Sequence, residues 1–363
     1  MPTSILLTGA TGFLGMQVLD RILEETDRPV LACVRATDAV TAQRRVADTL
    51  ETLYGNADRH AGRVRAVPAD LMQPALGLDA AAWARLARGC VAIVHCAASV
   101  SFGLELAEAR AINVGGTRQV LALARRARAE GALERFVHVS TAYVAGDSHG
   151  LFTEADCDVG QAFRNTYERT KLEAELEVAA ALDELAGVVV RPSIVVGERD
   201  SGWTSSFNVV YPPLRAFAGG HIDVVPGRPD GVLDIVSADY VADAIAELLL
   251  RRTREGSTLH LVAGRHATTI GRLAALAAAR LGRPAPRFGP SPPEGLGRLV
   301  PYFDVHARFD DARARRALLP AGLEPSPVEA YFDALMDYAY AAGWGRRPMS
   351  RRAARERRAR AVA

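Results

Sequence analysis

Short runs of apolar, mostly β-branched residues alternate with amphipathic stretches over the first two-thirds of the chain. The runs Ser4–Thr8, Val30–Val34, Arg63–Val67, Val91–His95, Arg135–Val139 and Val188–Arg191 predict strands buried on both faces. Apolar positions at helical spacing between them predict helices over Phe13–Glu25, Ala39–Tyr54, Ala80–Arg88, Leu104–Glu130 and Ala162–Leu185. This order predicts an α/β fold with a Rossmann-type doubly wound parallel sheet over residues 1–191. The pattern changes after Pro192. Residues 192–232 are rich in Gly, Pro and aromatics such as Trp203, Phe207, Tyr211 and Phe217. Strands over Leu233–Val236 and Thr258–Val262, with a helix over Ala238–Arg251, are expected to complete the first domain across 233–262. Residues 192–232 and 263–345, with helices over Thr269–Leu281 and Val328–Ala341 and an irregular stretch 284–303, predict a smaller C-terminal α/β substrate-binding cap.

Composition narrows the classes. The hydrophobic fraction is 49% against 24% charged, which suits a packed core. The first residues enter a strand pattern without a basic, apolar leader, and four cysteines lack any Cys-x-x-Cys pair, so a cytoplasmic protein without a zinc site or other metal is expected. Net charge is +2, unevenly spread: residues 346–363 carry eight arginines against Glu356, net +7, leaving the rest at −5. A mildly acidic body argues against nucleic-acid binding. The basic tail is expected to be disordered and solubilising. A second reading has it meet an acidic carrier protein, coenzyme A phosphates or an anionic membrane surface. Of 44 basic residues, 43 are arginine and one is Lys171, which marks a position where a compact ammonium is needed rather than a guanidinium fork.

The first strand runs into Thr8-Gly9-Ala10-Thr11-Gly12-Phe13-Leu14-Gly15 and a helix follows. Glycines at this spacing allow a tight turn and close approach of a pyrophosphate to the helix N-terminus, so Thr8, Gly9, Thr11, Gly12, Phe13, Leu14 and Gly15 are expected to hold a dinucleotide. Arg35 stands at the end of the second strand, where an NAD-specific chain places an acid on the ribose. A cation there suits a 2′-phosphate and favours NADP(H); Arg45, or Arg44, adds a second contact. Asp38 is the objection, although it lies beyond the strand. Asp70 and Leu71, at the third strand end, suit the adenine. Ala97, in His95-Cys96-Ala97-Ala98, lets the cofactor lie against the backbone. His95 reads as a wall residue and Cys96 as a small buried group, with a nucleophilic thiol the minor alternative.

Thr141 ends the fifth strand, and Tyr167-x-x-x-Lys171 follows in a helix. The i, i+4 spacing puts Tyr167 and Lys171 on one face. A nearby ammonium is expected to lower the phenol toward neutrality and make Tyr167 a general acid. Lys171 is also expected to hold the nicotinamide ribose. Thr141 donates to a reacting carbonyl, Ser140 assists, and Asn113 is expected to hold a relay water behind Lys171.

Together these residues resemble the extended short-chain dehydrogenase/reductases, from about Ser4 to Gly264. Within that superfamily the chain is most similar to fatty acyl-CoA reductases and to the thioester reductase domains of peptide synthetases and carboxylic acid reductases. The narrower likeness rests on Cys33–Ala36 with Arg45 ten residues after Arg35, Asp70-Leu71 leading to Pro74–Leu78, Val94–Phe102, His138–Val144, Tyr167–Glu175, Arg191–Val195, Gly202-Trp203, and Asp234–Val236 with Asp239–Val241. Ser237-Ala238 departs from the Pro-Val often found there, and no motif is evident after about residue 284. The resemblance implies catalysis by Thr141, Tyr167 and Lys171, and NADPH held by Gly9, Gly12, Gly15, Arg35 and Asp70, with Pro192, Ser193 and Ile194 beside it. It implies reduction of an acyl thioester, on coenzyme A or an acyl carrier protein, to an aldehyde and onward to an alcohol. It also implies a monomer, or a homodimer through the helices after the fourth and fifth strands. Carbonyl or hydroxysteroid dehydrogenases and sugar-nucleotide epimerases or dehydratases share the fold and triad, and a non-catalytic NADPH sensor is the remaining alternative.

Overall fold

The computed structural model describes residues 4–131, 133–251, 257–289, 297, 302–303 and 305–362. Apolar runs form β1 (Ser4–Thr8), β2 (Val30–Val34), β3 (Val64–Pro68), β4 (Cys90–His95) and β5 (Arg135–Val139). With strands Gly187–Pro192 and Ser257–Leu261 they build a seven-stranded sheet whose pairings are all parallel. The spatial order is Ser257–Leu261, Gly187–Pro192, β5, β4, β1, β2, β3. The order of strands reverses between β1 and β4, and ligands of such sheets bind outside the strand carboxyl ends at that crevice.

Helices α1 (Phe13–Glu25), α2 (Ala39–Tyr54), α3 (Ala80–Gly89), α4 (Leu106–Arg110), α5 (Gly116–Ala129) and α6 (Thr166–Ala179) precede Pro192. The later helices are α7 (Tyr211–Ala218), α8 (Ala238–Leu250), α9 (Ile270–Leu281), α10 (Ala312–Leu318), α11 (Phe332–Ala341) and α12 (Arg351–Val362). Local chemistry sets several ends. Asp38 caps α2 by accepting from the Thr41 amide at 2.7 Å, and Gly55, with φ +63°, ends it. Asn165 caps α6 by accepting from the Glu168 amide at 3.0 Å.

Some expectations are corrected. The helix expected over Leu104–Glu130 is interrupted by a wide π turn, Ala111–Gly115, between α4 and α5. The helix expected over Ala162–Leu185 shortens to α6: Asn165 caps its N-terminus, and turns take over after Ala179. The strand expected over Leu233–Val236 splits at Asp234. Val232–Leu233 pairs antiparallel with Thr268–Thr269, whereas Ile235–Ser237 pairs parallel with Ile194–Val196. The buried Asp234 carboxylate receives the Ala263 and Gly264 amides at 2.7 and 3.1 Å, which fixes that change of direction. Much of the irregular stretch expected over 284–303 lies outside the described residues.

The tail is the largest correction. Residues 351–362 are the helix α12, and Arg351 is 3% exposed. Its guanidinium meets Asp20 of α1 at 2.6 Å and also Glu198. Arg355 meets Glu198 at 3.1 Å, and Arg358 meets Asp337 of α11 at 2.7 Å. Charge repulsion within the Arg-rich segment is offset by carboxylates waiting on the body. The indole of buried Trp203 donates to the Met349 carbonyl at 3.1 Å just before this helix.

Two apolar clusters cover the sheet faces, one with α1, α2 and α8 and one with α3, α5 and α6. A third joins Ala142–Ala145 and Leu172 to α7, α9 and α11, so helices after Pro192 share a core with the elements that carry Thr141 and Tyr167.

Candidate active site

The glycine turn sits at the β1/β4 crevice. Gly9 has φ +76°, and a Cβ there would lie 2.8 Å from the Ala97 amide nitrogen. A Cβ on Gly15 would fall 2.0 Å from the Gly9 carbonyl oxygen. Both positions need glycine, and together they leave a shallow backbone cradle. Gly12 caps α1 without a side-chain acceptor, so the first-turn amides of Phe13, Leu14 and Gly15 have no intrahelical partner and point out of the helix. This cradle fits a pyrophosphate. Thr8 does other work: its hydroxyl meets His95 Nδ1 at 2.8 Å and receives the Cys96 and Ala97 amides at 3.2 Å. His95 Nε2 meets Thr117 Oγ1 at 3.0 Å, so His95 is a satisfied wall residue.

Arg35 is exposed at the end of β2. Arg45 donates to the Arg35 carbonyl at 2.6 Å and to Thr11 Oγ1 at 3.4 Å, tying α2 to both β2 and the glycine turn. Asp38 is committed to capping, with Thr37 Oγ1 and Thr41 Oγ1 as further donors at 2.9 and 3.0 Å. Arg44 is exposed on α2. Asp70 Oδ1 receives the Met72 amide at 3.0 Å, and Leu71 packs on Gly116.

Thr141 and Tyr167 are neighbours, close enough for the Thr141 hydroxyl to act on the half-buried phenol; that hydroxyl donates weakly to the Pro192 carbonyl at 3.4 Å and receives the Tyr143 amide at 3.2 Å. Lys171 is 3% exposed, and Nζ donates to the Val139 carbonyl at 2.8 Å. Burial pushes its ammonium down to about 8, with Glu175 and Cys96 acting in the opposite sense. The Tyr167 expectation is corrected. Burial pushes the phenol up to about 12, against the pull of Thr141, so Tyr167 is a protonated hydrogen-bond donor at neutral pH. Its ring lies 6.0 Å from Phe102, and Phe102 stacks on Tyr302 at 5.1 Å.

Ser140 and Asn113 are placed differently from expectation. Ser140 Oγ donates to Glu175 at 2.5 Å, so its hydroxyl serves that carboxylate rather than a reacting carbonyl. Asn113, in the π turn, donates to the Ser99 carbonyl and Thr170 Oγ1 at 3.2 and 2.9 Å and accepts from the Ser99 amide at 2.8 Å. Its side chain braces the loop after β4 against α6. Ser193 donates its amide to the Leu261 carbonyl at 3.3 Å, and Ile194 turns into an apolar cleft. Burial pushes the Cys96 thiol up to about 11, which disfavours a thiolate nucleophile.

That cleft runs between α7 and α9. Leu214, Phe217, Leu273, Ala277 and Tyr302 line it with Ile194, and it encloses about 660 Å³, part of it open to solvent. Tyr302, stacked on Phe102, forms the wall between the cleft and Tyr167.

A family model for NAD-binding domains described as male sterility protein matches residues 7–245. The chain belongs to this family. Among curated members and relatives it is 35% identical over 288 residues to isonitrile lipopeptide synthase of Streptomyces coeruleorubidus, covering 75% of this chain and 18% of that protein. It is 30% identical over 275 residues to fatty acyl-CoA reductase 1 of Mus musculus, covering 66% of this chain and 53% of that one. The chain thus spans about half, or less, of the length of these relatives. Among solved structures, the terminal R domain of the myxalamid PKS-NRPS pathway superposes with a TM-score of 0.81 at 25% identity, covering 96% of this chain and 93% of that one. UDP-glucuronic acid 4-epimerase of Bacillus cereus shares the fold at TM-score 0.66 and 18% identity, covering 94% and 99%. The male sterility family assignment, the Rossmann sheet and the extended short-chain dehydrogenase/reductase likeness therefore agree.

Glu175 and Arg191 are not among the expected site residues. They form a buried ion pair beneath Lys171, with Arg191 Nη2 to Glu175 Oε1 at 2.5 Å. The available signal was Glu175 itself, an acid one helical turn beyond the single lysine.

Proposed function

We propose that the protein is an NADPH-dependent reductase that converts an apolar acyl thioester to an aldehyde and free thiol. The observation that carries this reading is the neighbouring Thr141 and Tyr167 side chains, with Tyr167 one turn from Lys171, set against the wall of an apolar cleft. Arg35, steadied by Arg45, would take the 2′-phosphate, the Gly9–Gly15 turn the pyrophosphate, and Asp70 with Leu71 the adenine. NADPH held there would supply a hydride to the thioester carbonyl carbon.

The chain does the rest. Phenol and Thr141 hydroxyl donate to the carbonyl oxygen as negative charge develops, a contribution of roughly 3 kcal/mol per well-placed donor. Tyr167, protonated across the neutral range, then yields its proton to that oxygen. Lys171 stands one turn behind with its charge fixed on the Val139 carbonyl. Collapse of the hemithioacetal breaks the carbon–sulfur bond and gives aldehyde and thiol. A second round would carry the aldehyde to an alcohol. The apolar lining supports an acyl tail over a sugar diphosphate, and the intact triad supports an enzyme over a sensor.

NADPH consumption against short, medium and long acyl-coenzyme A, acyl carrier protein, a ketosteroid and a sugar nucleotide tests the reading. Thiol release with an acyl thioester, lost in Tyr167→Phe by roughly a hundredfold or more, is expected. Turnover of the ketosteroid or sugar nucleotide with none of the thioester would overturn the substrate assignment.

A further inference from the structure

Beneath the triad lies a charged assembly to which the proposed chemistry assigns no task. Glu175 is 1% exposed and lies one turn beyond Lys171 on the same face of α6. Its carboxylate accepts from Arg191 Nε at 2.9 Å and Nη2 at 2.5 Å, and from Ser140 Oγ at 2.5 Å. Arg191 is as buried, and its Nη1 lies 3.1 Å from His260 Nε2. The His260 Nδ1 in turn lies 2.6 Å from the Asp310 carbonyl. A buried ion pair of this kind contributes little net stability compared with apolar side chains of the same volume. Its position next to Lys171 gives it another use.

The groups acting on Lys171 come from three elements. From the end of β4 come His95 and Cys96, from β5 His138, and from α6 Glu175, with Tyr167 one turn before the lysine. Burial and the Lys171 ammonium hold His95 at about 3 and His138 well below the ordinary imidazole value, so both are neutral. Cys96 and Tyr167 are protonated and neutral as well. Among these groups the clamped carboxylate is the negative charge available to a buried ammonium.

We propose that Glu175 is a positioning residue, a fixed counter-charge that keeps Lys171 protonated and seated on the Val139 carbonyl, with Arg191 and Ser140 holding the carboxylate in place. This rests on the reading that Lys171 serves the reaction, and the test separates the two.

Because the chain contains one lysine, lysine labelled with ¹³C at the ε carbon gives one side-chain signal whose pH titration reports Lys171 directly. The wild-type midpoint is expected at about 8. Glu175→Gln is expected to lower it by about one pH unit or more, and Glu175→Asp to restore most of it. Glu175→Gln leaves the Arg191 guanidinium buried without its carboxylate, so the pair Glu175→Met with Arg191→Met serves if the single variant does not fold. A folded Glu175→Gln or double-Met protein that titrates at the wild-type midpoint overturns the proposal. The alkaline limb of kcat/KM is then compared with the midpoint. Movement of both together supports counter-charge and function alike. A lowered midpoint with an unmoved limb upholds the counter-charge and refutes the role of Lys171 in the reaction.

Discussion

Replacing Arg351 by Met removes the central cation of a buried cluster while keeping much of the side-chain volume. Arg351 lies between Asp20 and Glu198, and these three side chains are 3–4% exposed. Breaking a buried pair typically costs about 3–5 kcal/mol because a desolvated charge is left behind. Here Asp20 keeps Arg21 at 2.6 Å, and Glu198 keeps Arg355 at 3.1 Å and Ser201 at 2.7 Å. The lower end, about 3 kcal/mol, is therefore expected, or a fall in Tm of roughly 4 °C for a chain of this length. The loss also carries a pH signature. Burial works to raise both carboxyls, but the guanidiniums outweigh it and hold Asp20 and Glu198 below their ordinary values. Stabilisation by a depressed carboxyl is fully present above the unfolded-state value and fades as pH falls through the folded one. The gap between wild type and variant should thus be widest near neutrality and narrow below about pH 4. Urea unfolding followed by tryptophan fluorescence measures it, since Trp203 is buried and bonded to Met349 beside the tail helix. Equal unfolding midpoints at neutral pH, or a gap that does not change with pH, would refute the reasoning.

Three further outcomes follow from the site. Gly9→Ala should weaken NADPH binding about tenfold or more, because a non-glycine residue at φ +76° costs about 1–2 kcal/mol before its Cβ meets Ala97; direct titration of cofactor fluorescence checks this. Arg35→Ala should reduce a preference for NADPH over NADH by roughly ten- to a hundredfold in kcat/KM while leaving NADH use nearly unchanged, since one charge-assisted contact is worth about 1.5–3 kcal/mol. Ala274→Phe, on the cleft wall of α9, should move the preferred acyl chain to shorter lengths, and an unchanged chain-length profile would place the acyl group elsewhere.

The parts of the fold legible in the sequence are those whose signals are local. β1, β2, α1 and α2 fall on their expected boundaries because the glycine turn, the Asp38 cap and the left-handed Gly55 lie within the segments they delimit. Tyr167 and Lys171 were legible for the same reason, being four residues apart on one helix. What escaped depends on partners far along the chain. Ser140 turns to Glu175, thirty-five residues on, and Asn113 is drawn into a π turn by Ser99 and Thr170. The raised Tyr167 phenol reflects burial that includes Phe102, itself stacked on Tyr302 from far along the chain. The tail is the clearest case. An arginine-rich stretch has no apolar face to announce a helix, and the carboxylates that order it belong to α1 and to the turn at Glu198.

The apolar cluster that lines the cleft also packs Tyr143, Val144 and Leu172, which flank the Thr141–Tyr167 pair. Pocket and core are therefore one set of atoms. A substitution that enlarges the cleft for a larger ligand deletes core volume, at about 2–5 kcal/mol for a Leu→Ala change. Drift in substrate range along this lineage is then tied to stability: new specificities should arise first in backgrounds that already carry a reserve of it, or through swaps that conserve volume. In an evolving population, the strength of the fold would limit how quickly the chemistry finds new substrates.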